Sequence, residues 1–377
     1  MTDANEMTTA IEEPEGGWYQ PEQEDEEPAN DVLAKKDDER RGVQPGTTDG
    51  ILGLPVGKGH GLGRAPVVVL TGPPPRRQKN DLPGRRRPVV AIPDTFVDPE
   101  QGLHPWLGPT DGEVFVADAW TPKGDDVPRP QVIGSVRSLG KAAGHGTFIA
   151  GLIRQVAPDA EVIMLRVMHA DGTVLDDHLL QALDELKRRV LAGSFVDVIC
   201  LALGFRKEDS RDTKLIDHLR RVLGELGSLG VRVVASAGNN PDSLLRVYPA
   251  ALATAGNRPR TGLISVGSYD PDGKTCSMYS RQHSWITNRE IGTELVSTMP
   301  AFQGPGRAGS SDPALPPYDP DDYSRGFARW SGTSFAAGVA AGRLAQALVN
   351  PAVVDPALDR HQRAEAALAA LTPYKPC

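Results

Sequence analysis

Four polar side chains stand in settings that suit acyl-transfer chemistry: Asp94, His145, Asn239 and Ser334. Ser334 lies in Trp330-Ser331-Gly332-Thr333-Ser334-Phe335-Ala336-Ala337-Gly338-Val339-Ala340-Ala341-Gly342, a small-residue turn that runs into a segment of helical composition. A helix of Ala and Gly passes close to its neighbours and can be buried on every side. Its N-terminus offers unpaired N–H groups and the positive dipole end, both suited to a developing oxyanion. Ser334, on the first turn, is a candidate nucleophile. Taken alone, the motif is better read as a Gly/Ala-rich core helix with an N-cap Ser. The other three residues change that balance.

His145 opens a predicted helix inside Gly144-His145-Gly146-Thr147, where flanking glycines let another backbone approach the imidazole. Asp94 ends the apolar run Val89-Val90-Ala91-Ile92, which reads as a buried parallel strand. Open α/β sheets keep their chemistry at the C-terminal ends of such strands. Asn239 follows Ala237-Gly238 on a tight turn. A hydroxyl, an imidazole to take its proton and a carboxylate to hold that imidazole make a nucleophilic triad, and an amide supplies an oxyanion donor. Each residue also has a plainer reading: a satisfied helix-start His, a turn-capping Asp, a left-handed turn Asn. Six other histidines, His104, His169, His178, His218, His283 and His361, lack such a frame and are expected at the surface.

These residues are far apart in the chain, so only a fold can unite them. Strand-like runs at 89–92, 161–167, 196–204, 231–237 and 263–267 alternate with helical patterns at 145–153, 176–191 and 214–226. That alternation predicts an α/β fold with a parallel central sheet and helices on both faces. Residues 301–328, rich in Gly, Pro, Ser and Asp, read as a long loop before the Ser334 motif, and such loops are often functional. Asp355-Pro356 reads as N-cap and first residue of a final helix reaching Ala370.

The division expected is a disordered acidic tail over 1–60, a Pro/Arg-rich linker over 61–87, a catalytic domain over 88–350, and a docked C-terminal helix within 351–377. The linker, with Pro73-Pro74-Pro75-Arg76-Arg77 and Arg85-Arg86-Arg87, reads as solvated and extended. A processing site or a patch for an acidic partner is the sharper alternative.

The 377 residues are ample for a large core. A net charge of −8 gives no global argument for nucleic-acid binding. Three cysteines, Cys200, Cys276 and Cys377, argue against a disulfide framework. The polar N-terminus does not read as a secretory signal, and no apolar run approaches the ~20 residues of a membrane span. The expectation is a cytoplasmic protein without membrane attachment, with unconventional export left open.

The order Asp94, His145, Ser334 is the subtilisin order of this triad. The stretch 88–350 resembles a subtilisin-like serine protease (subtilase, peptidase S8) through Val90-Ala91-Ile92-Pro93-Asp94-Thr95, Gly144-His145-Gly146-Thr147, Ala237-Gly238-Asn239 and Gly332-Thr333-Ser334. Lesser echoes are Leu203-Gly204, Tyr248-Pro249-Ala250, Ser265-Val266-Gly267 and Leu295-Val296-Ser297-Thr298. Departures are Pro93, Phe96, the 301–328 insertion, and Phe335-Ala336-Ala337-Gly338-Val339 where the family has Met-Ala-Ala-Pro-His.

The resemblance implies a serine endopeptidase acting on proteins or peptides without a cofactor for its chemistry. Ser334 would be the nucleophile, His145 the general base, Asp94 its orienter and Asn239 the oxyanion donor. Leu203, Gly204, Phe205, Ala237 and Gly238 would line the substrate pocket. Structural calcium, common in the family, has no readable ligand spacing here. The first 87 residues do not read as the folded pro-domain many members carry. Of two rival readings, a catalytically silent scaffold binding peptides or a partner does not need all four groups intact. An α/β-hydrolase esterase needs the order Ser, Asp, His.

Overall fold

The structure, a computed structural model, describes residues 44–45, 63–95, 97, 104–109, 112–123, 132–133, 138–140, 142–170, 172–207, 210–239, 246–253, 262–280, 285–302, 323–373 and 375. In chain order the elements are β1 (Gln44–Pro45), β2 (Ala65–Pro66), β3 (Val89–Asp94), β4 (Val116–Trp120), β5 (Val132–Ile133), β6 (Ser138–Leu139) and helix α1 (His145–Val156). There follow β7 (Glu161–Arg166), α2 (Asp176–Leu191), β8 (Val198–Leu201), β9 (Leu203–Arg206), α3 (Ser210–Ser228) and β10 (Arg232–Ser236). The chain continues through β11 (Val247–Tyr248), β12 (Leu263–Tyr269), β13 (Asn288–Ile291), β14 (Leu295–Thr298), β15 (Phe327–Trp330), α4 (Thr333–Ala347) and α5 (Arg360–Ala366).

Seven strands form the central sheet in the order β13-β12-β10-β8-β3-β7-β4, and every neighbouring pair is parallel. This is the predicted α/β architecture. Its strands read as continuous apolar runs because both faces are covered. Successive side chains alternate between two cores. Val90 and Ile92 of β3 and Val198 and Cys200 of β8 join the core that holds α1 and α4 residues. Ala91, Ile199 and Leu201 join the other, with α2 and α3 residues.

The Ala/Gly composition of α4 has the effect expected of it. All residues of this helix except Arg343 and Gln346 are buried. A Cβ on Gly342 would lie 2.9 Å from Val156 Cβ of α1, so a small residue is needed where the two helices meet.

Three expectations are corrected. The arginines of the 61–87 segment are docked rather than solvated. Arg77 donates from its backbone N–H and its Nε to the carboxylate of Asp159, at 2.7 and 2.8 Å. Arg86 forks onto Asp197 at 2.7 and 2.8 Å, and the buried Arg87 pairs with Glu113. Buried or half-buried carboxylates draw in the guanidiniums that composition alone assigns to solvent.

The last helix begins at Arg360, not at Asp355-Pro356. Asp359 and Gln362 form a reciprocal capping box, while the Asp355 carboxylate accepts from Ala357 N–H in a local turn. Two histidines expected at the surface are not there: His178 is buried, and His104 packs edge-on against Phe327 at 4.7 Å between ring centres.

The acidic tail falls outside the described residues apart from Gln44 and Pro45, and most of the 301–328 loop falls outside them too. Cys200 is a buried free thiol and Cys276 is disulfide-bonded, so one disulfide forms despite the sparse count. Among the described residues no helix is long and apolar enough to cross a membrane.

Candidate active site

β3, β8 and β10 are adjacent in the sheet, and three site elements leave their C-terminal ends. Asp94 closes β3, Ala202 follows β8, and Ala237-Gly238-Asn239 follows β10. Parallel strands lie about 4.8 Å apart, so this edge gathers groups that the chain keeps distant.

Asp94 and His145 meet, and both side chains are fully buried. Nδ1 of His145 lies 2.9 Å from Oδ1 and 2.8 Å from Oδ2 of Asp94. Oδ1 also accepts from Thr95 N–H at 2.7 Å, which fixes the carboxylate. The Thr95 hydroxyl accepts from Gly146 N–H at 2.8 Å, tying the end of β3 to the first turn of α1. A carboxylate on Nδ1 keeps a proton there and leaves the lone pair of Nε2 available. Nε2 is buried and has no hydrogen-bond partner among the described residues.

Gly144 makes the approach to this turn possible. Its φ is 78°, and a Cβ there would lie 2.5 Å from Met299 Sδ. The imidazole ring is framed by Trp330, edge-on at 5.8 Å, and by Phe335, tilted at 5.4 Å. Phe335, the residue that departs from the family pattern, therefore becomes part of the wall behind His145.

Ser334 is buried in the first turn of α4. Its hydroxyl donates to the carbonyl of Ala202 at 3.0 Å rather than to His145. Asn239 is held through its side-chain oxygen, which accepts from the backbone N–H and the hydroxyl of Thr333. Its Nδ2 is buried without a partner. Thr333 was missed as a site residue; its place directly before Ser334 was the available signal. Ala202 was missed because a backbone carbonyl has no residue-type signature.

The expected pocket residues divide. Leu203 and Phe205 point into the second core, and the Phe205 ring leans on Tyr248 at 5.9 Å. Phe205 is only 9% exposed, and its ring packs within this core. Gly204 instead offers backbone. β9 pairs antiparallel with β11 on one edge and with β1 on the other, Gln44 opposite Gly204 and Pro45 opposite Leu203. Ala237 is buried, and Gly238 has a φ of 92°. Among the described residues no group of three or more His, Cys, Asp or Glu is placed to hold a metal ion.

A model of the subtilase family (peptidase S8) matches residues 85–362. The chain is 30% identical over 195 residues to a subtilisin-like protease, het-Q2, of Podospora anserina; the match covers 49% of this chain and 48% of that protein. It thus spans about half the length of this curated relative. Among solved structures, it is similar to a lanthipeptide protease at 22% identity and a TM-score of 0.48, covering 70% of this chain and 73% of that one. It is also similar to fervidolysin from Fervidobacterium pennivorans, a keratinolytic enzyme related to subtilisin, at 21% identity and a TM-score of 0.49, covering 74% and 38%. The family match takes in β3, the helices α1 and α4 and every candidate site residue, and the chain belongs to the subtilase family.

Proposed function

We propose that the chain is a serine endopeptidase in which Ser334, His145 and Asp94 act as nucleophile, general base and orienter. The family and the fold support a protease in general. The observation that carries the finer reading is the state of His145: Asp94 clamps Nδ1 from both carboxylate oxygens, and Nε2 is buried and unpartnered. A histidine kept only for packing would have no need of an unsatisfied basic nitrogen beside a serine-bearing helix.

In this reading the Ser334 hydroxyl leaves the Ala202 carbonyl for Nε2. Ser334 Oγ then attacks the scissile carbonyl as its proton passes to Nε2, and Asp94 stabilises the imidazolium. Nε2 returns that proton to the leaving amine. The negative charge that develops on the carbonyl oxygen takes hydrogen bonds from Asn239 Nδ2 and the Ser334 backbone N–H. The latter belongs to a helix turn whose N–H groups lack intrahelical acceptors. The peptide would lie along β9, with Gly204 backbone and the Ala237-Gly238 turn as its walls, since strand addition uses main-chain hydrogen bonds at such an edge.

A Ser-directed fluorophosphonate probe tests this. Wild type is expected to be labelled and to cut peptides, and Ser334→Ala to do neither. Labelling that survives in Ser334→Ala would put the nucleophile elsewhere. A folded wild type, with β9 freed of β1, that is neither labelled nor active would leave the peptide-binding scaffold.

A further inference from the structure

At the opposite end of the sheet, a cavity of about 270 Å³ opens between the N-terminal ends of β8 and β10 and the helices α4 and α5. Its volume falls just below the ~300–1,000 Å³ typical of drug-sized ligands, so an occupant would be small. Four arginines line it: Arg86, Arg232, Arg360 and Arg363. Two carboxylates answer them. Asp197 takes the fork of Arg86, and Glu365 meets Arg232 at 2.7 Å.

Among the described residues Arg360 and Arg363 form no ion pair with a carboxylate. Each gives one Nη2–H to a backbone carbonyl, Arg360 to Val196 and Arg363 to Leu348. The Nε of each is buried with no acceptor. Three residues apart on α5, they share one helix face. Burial, and then the charge of Arg86, hold the Arg360 pKa below its ordinary value against the pull of Asp197. The rest of the wall, Leu344, Leu348 and Ala364 among it, is apolar or glycine and offers no side-chain acceptor. The cavity therefore carries more positive than negative charge, and two of its guanidinium forks are incompletely used. Such forks match the paired oxygens of phosphate and carboxylate.

We propose that this cavity binds a small tetrahedral oxyanion of the phosphate class, free or as the terminal group of a small organic phosphate, with Arg360 and Arg363 as its recognition groups. The site is remote from Ser334. Leu344 and Leu348 stand ten and fourteen residues further along, about 15–21 Å at the helical rise. Occupancy is thus independent of the peptidase reading and can be measured with the nucleophile removed.

The test is titration calorimetry on full-length Ser334→Ala at constant ionic strength. Inorganic phosphate is expected to bind saturably at one site, and the R360Q/R363Q double variant to bind about tenfold more weakly or worse, given the strength of charge-assisted forks. Glycerol phosphate is the second arm: tighter binding than phosphate identifies an organic phosphate as the occupant, weaker binding the free ion. Three results would overturn the proposal: no saturable heat with either compound, equal affinity in the double variant, or acetate binding as well as phosphate. Should circular dichroism show the double variant unfolded, R363K decides, because it keeps the charge and removes the fork. Weakened binding is expected there, and unchanged affinity would sink the assignment.

Discussion

Thr333 donates twice to the side-chain oxygen of Asn239, from its backbone N–H at 2.9 Å and from its hydroxyl at 2.8 Å. The same hydroxyl accepts from Gly238 N–H at 3.1 Å. The amide is thus anchored by one end, with Nδ2 left free. Thr333→Val keeps the shape and the backbone donor and removes the hydroxyl. It is expected to lower kcat about tenfold, the worth of one hydrogen bond, with KM nearly unchanged. Asn239→Leu removes the donor itself and is expected to cost about 10²–10³ in kcat, a magnitude carried over from a subtilisin. Steady-state kinetics on a peptide substrate check both, and an unchanged kcat in Asn239→Leu would remove it from the mechanism.

β1 lies along the edge of β9, and β9 begins one residue after Ala202, the acceptor of the Ser334 hydroxyl. A peptide substrate would need that same edge. Deleting residues 1–62 is therefore expected to raise kcat/KM for peptides while leaving the fold intact, because among the described residues this segment contributes the two-residue pairing of β1. Melting curves and peptide assays on both forms decide it. A large drop in melting temperature would show that the segment braces the domain. Unchanged kinetics would show that β1 does not compete.

Asp159 accepts from Arg77 and, at 3.0 Å, from Gln346 of α4, so it ties the N-terminal arm to the helix that bears Ser334. Burial pushes its pKa up, but the hydrogen bonds from Gln346 and Arg77 outweigh this and leave it below the ordinary 3.8. A depressed carboxylate stabilises the fold above its unfolded value and loses that contribution as pH falls through the folded one. Asp159→Asn is expected to cost about 1–3 kcal/mol at pH 7, and the gap from wild type to narrow below about pH 4. Denaturant melts across that range measure it; a gap independent of pH would mean that the charge contributes nothing.

The helix carrying His145 is pinned from β14. Ser297 and Thr298 donate their hydroxyls to the carbonyls of Phe148 and Thr147, each at 2.7 Å. Gly151 leaves room for both hydroxyls, since a Cβ there would run into them and lie 2.9 Å from Thr298 N. Gly151→Ala is expected to destabilise by about 1–3 kcal/mol, as overpacking does, despite the better helix propensity of Ala. Chemical denaturation checks it, and a stabilised variant would show that β14 can yield.

The sheet and its helices were legible because burial on both faces leaves continuous apolar runs such as Val89–Ile92 and Val198–Leu201. The settings of Asp94, His145, Asn239 and Ser334 stand out in the sequence because an apolar strand ends at Asp94 and small residues precede or flank the other three. Other features leave no such trace. The Ala202 carbonyl is backbone. The ordering of Arg77, Arg86 and Arg87 depends on carboxylates far away in the chain, with Asp197 more than a hundred residues on. The packing of Phe205 in the second core was not legible either, because sequence gives a strand's period but not which of its faces meets the core. The final helix was started too early because Asp355 and Asp359 are both plausible caps, and only the reciprocal bond from Gln362 separates them.

The near-complete burial of α4 bears on how this molecule would fail. A helix packed on every side has no cheap local opening, so its amides from Phe335 onward should exchange with solvent only when the whole domain opens. The serine rides on what would then be the slowest-exchanging element of the chain. Heat or denaturant should therefore abolish probe labelling and tertiary structure along a single curve, with no folded but inactive species between them.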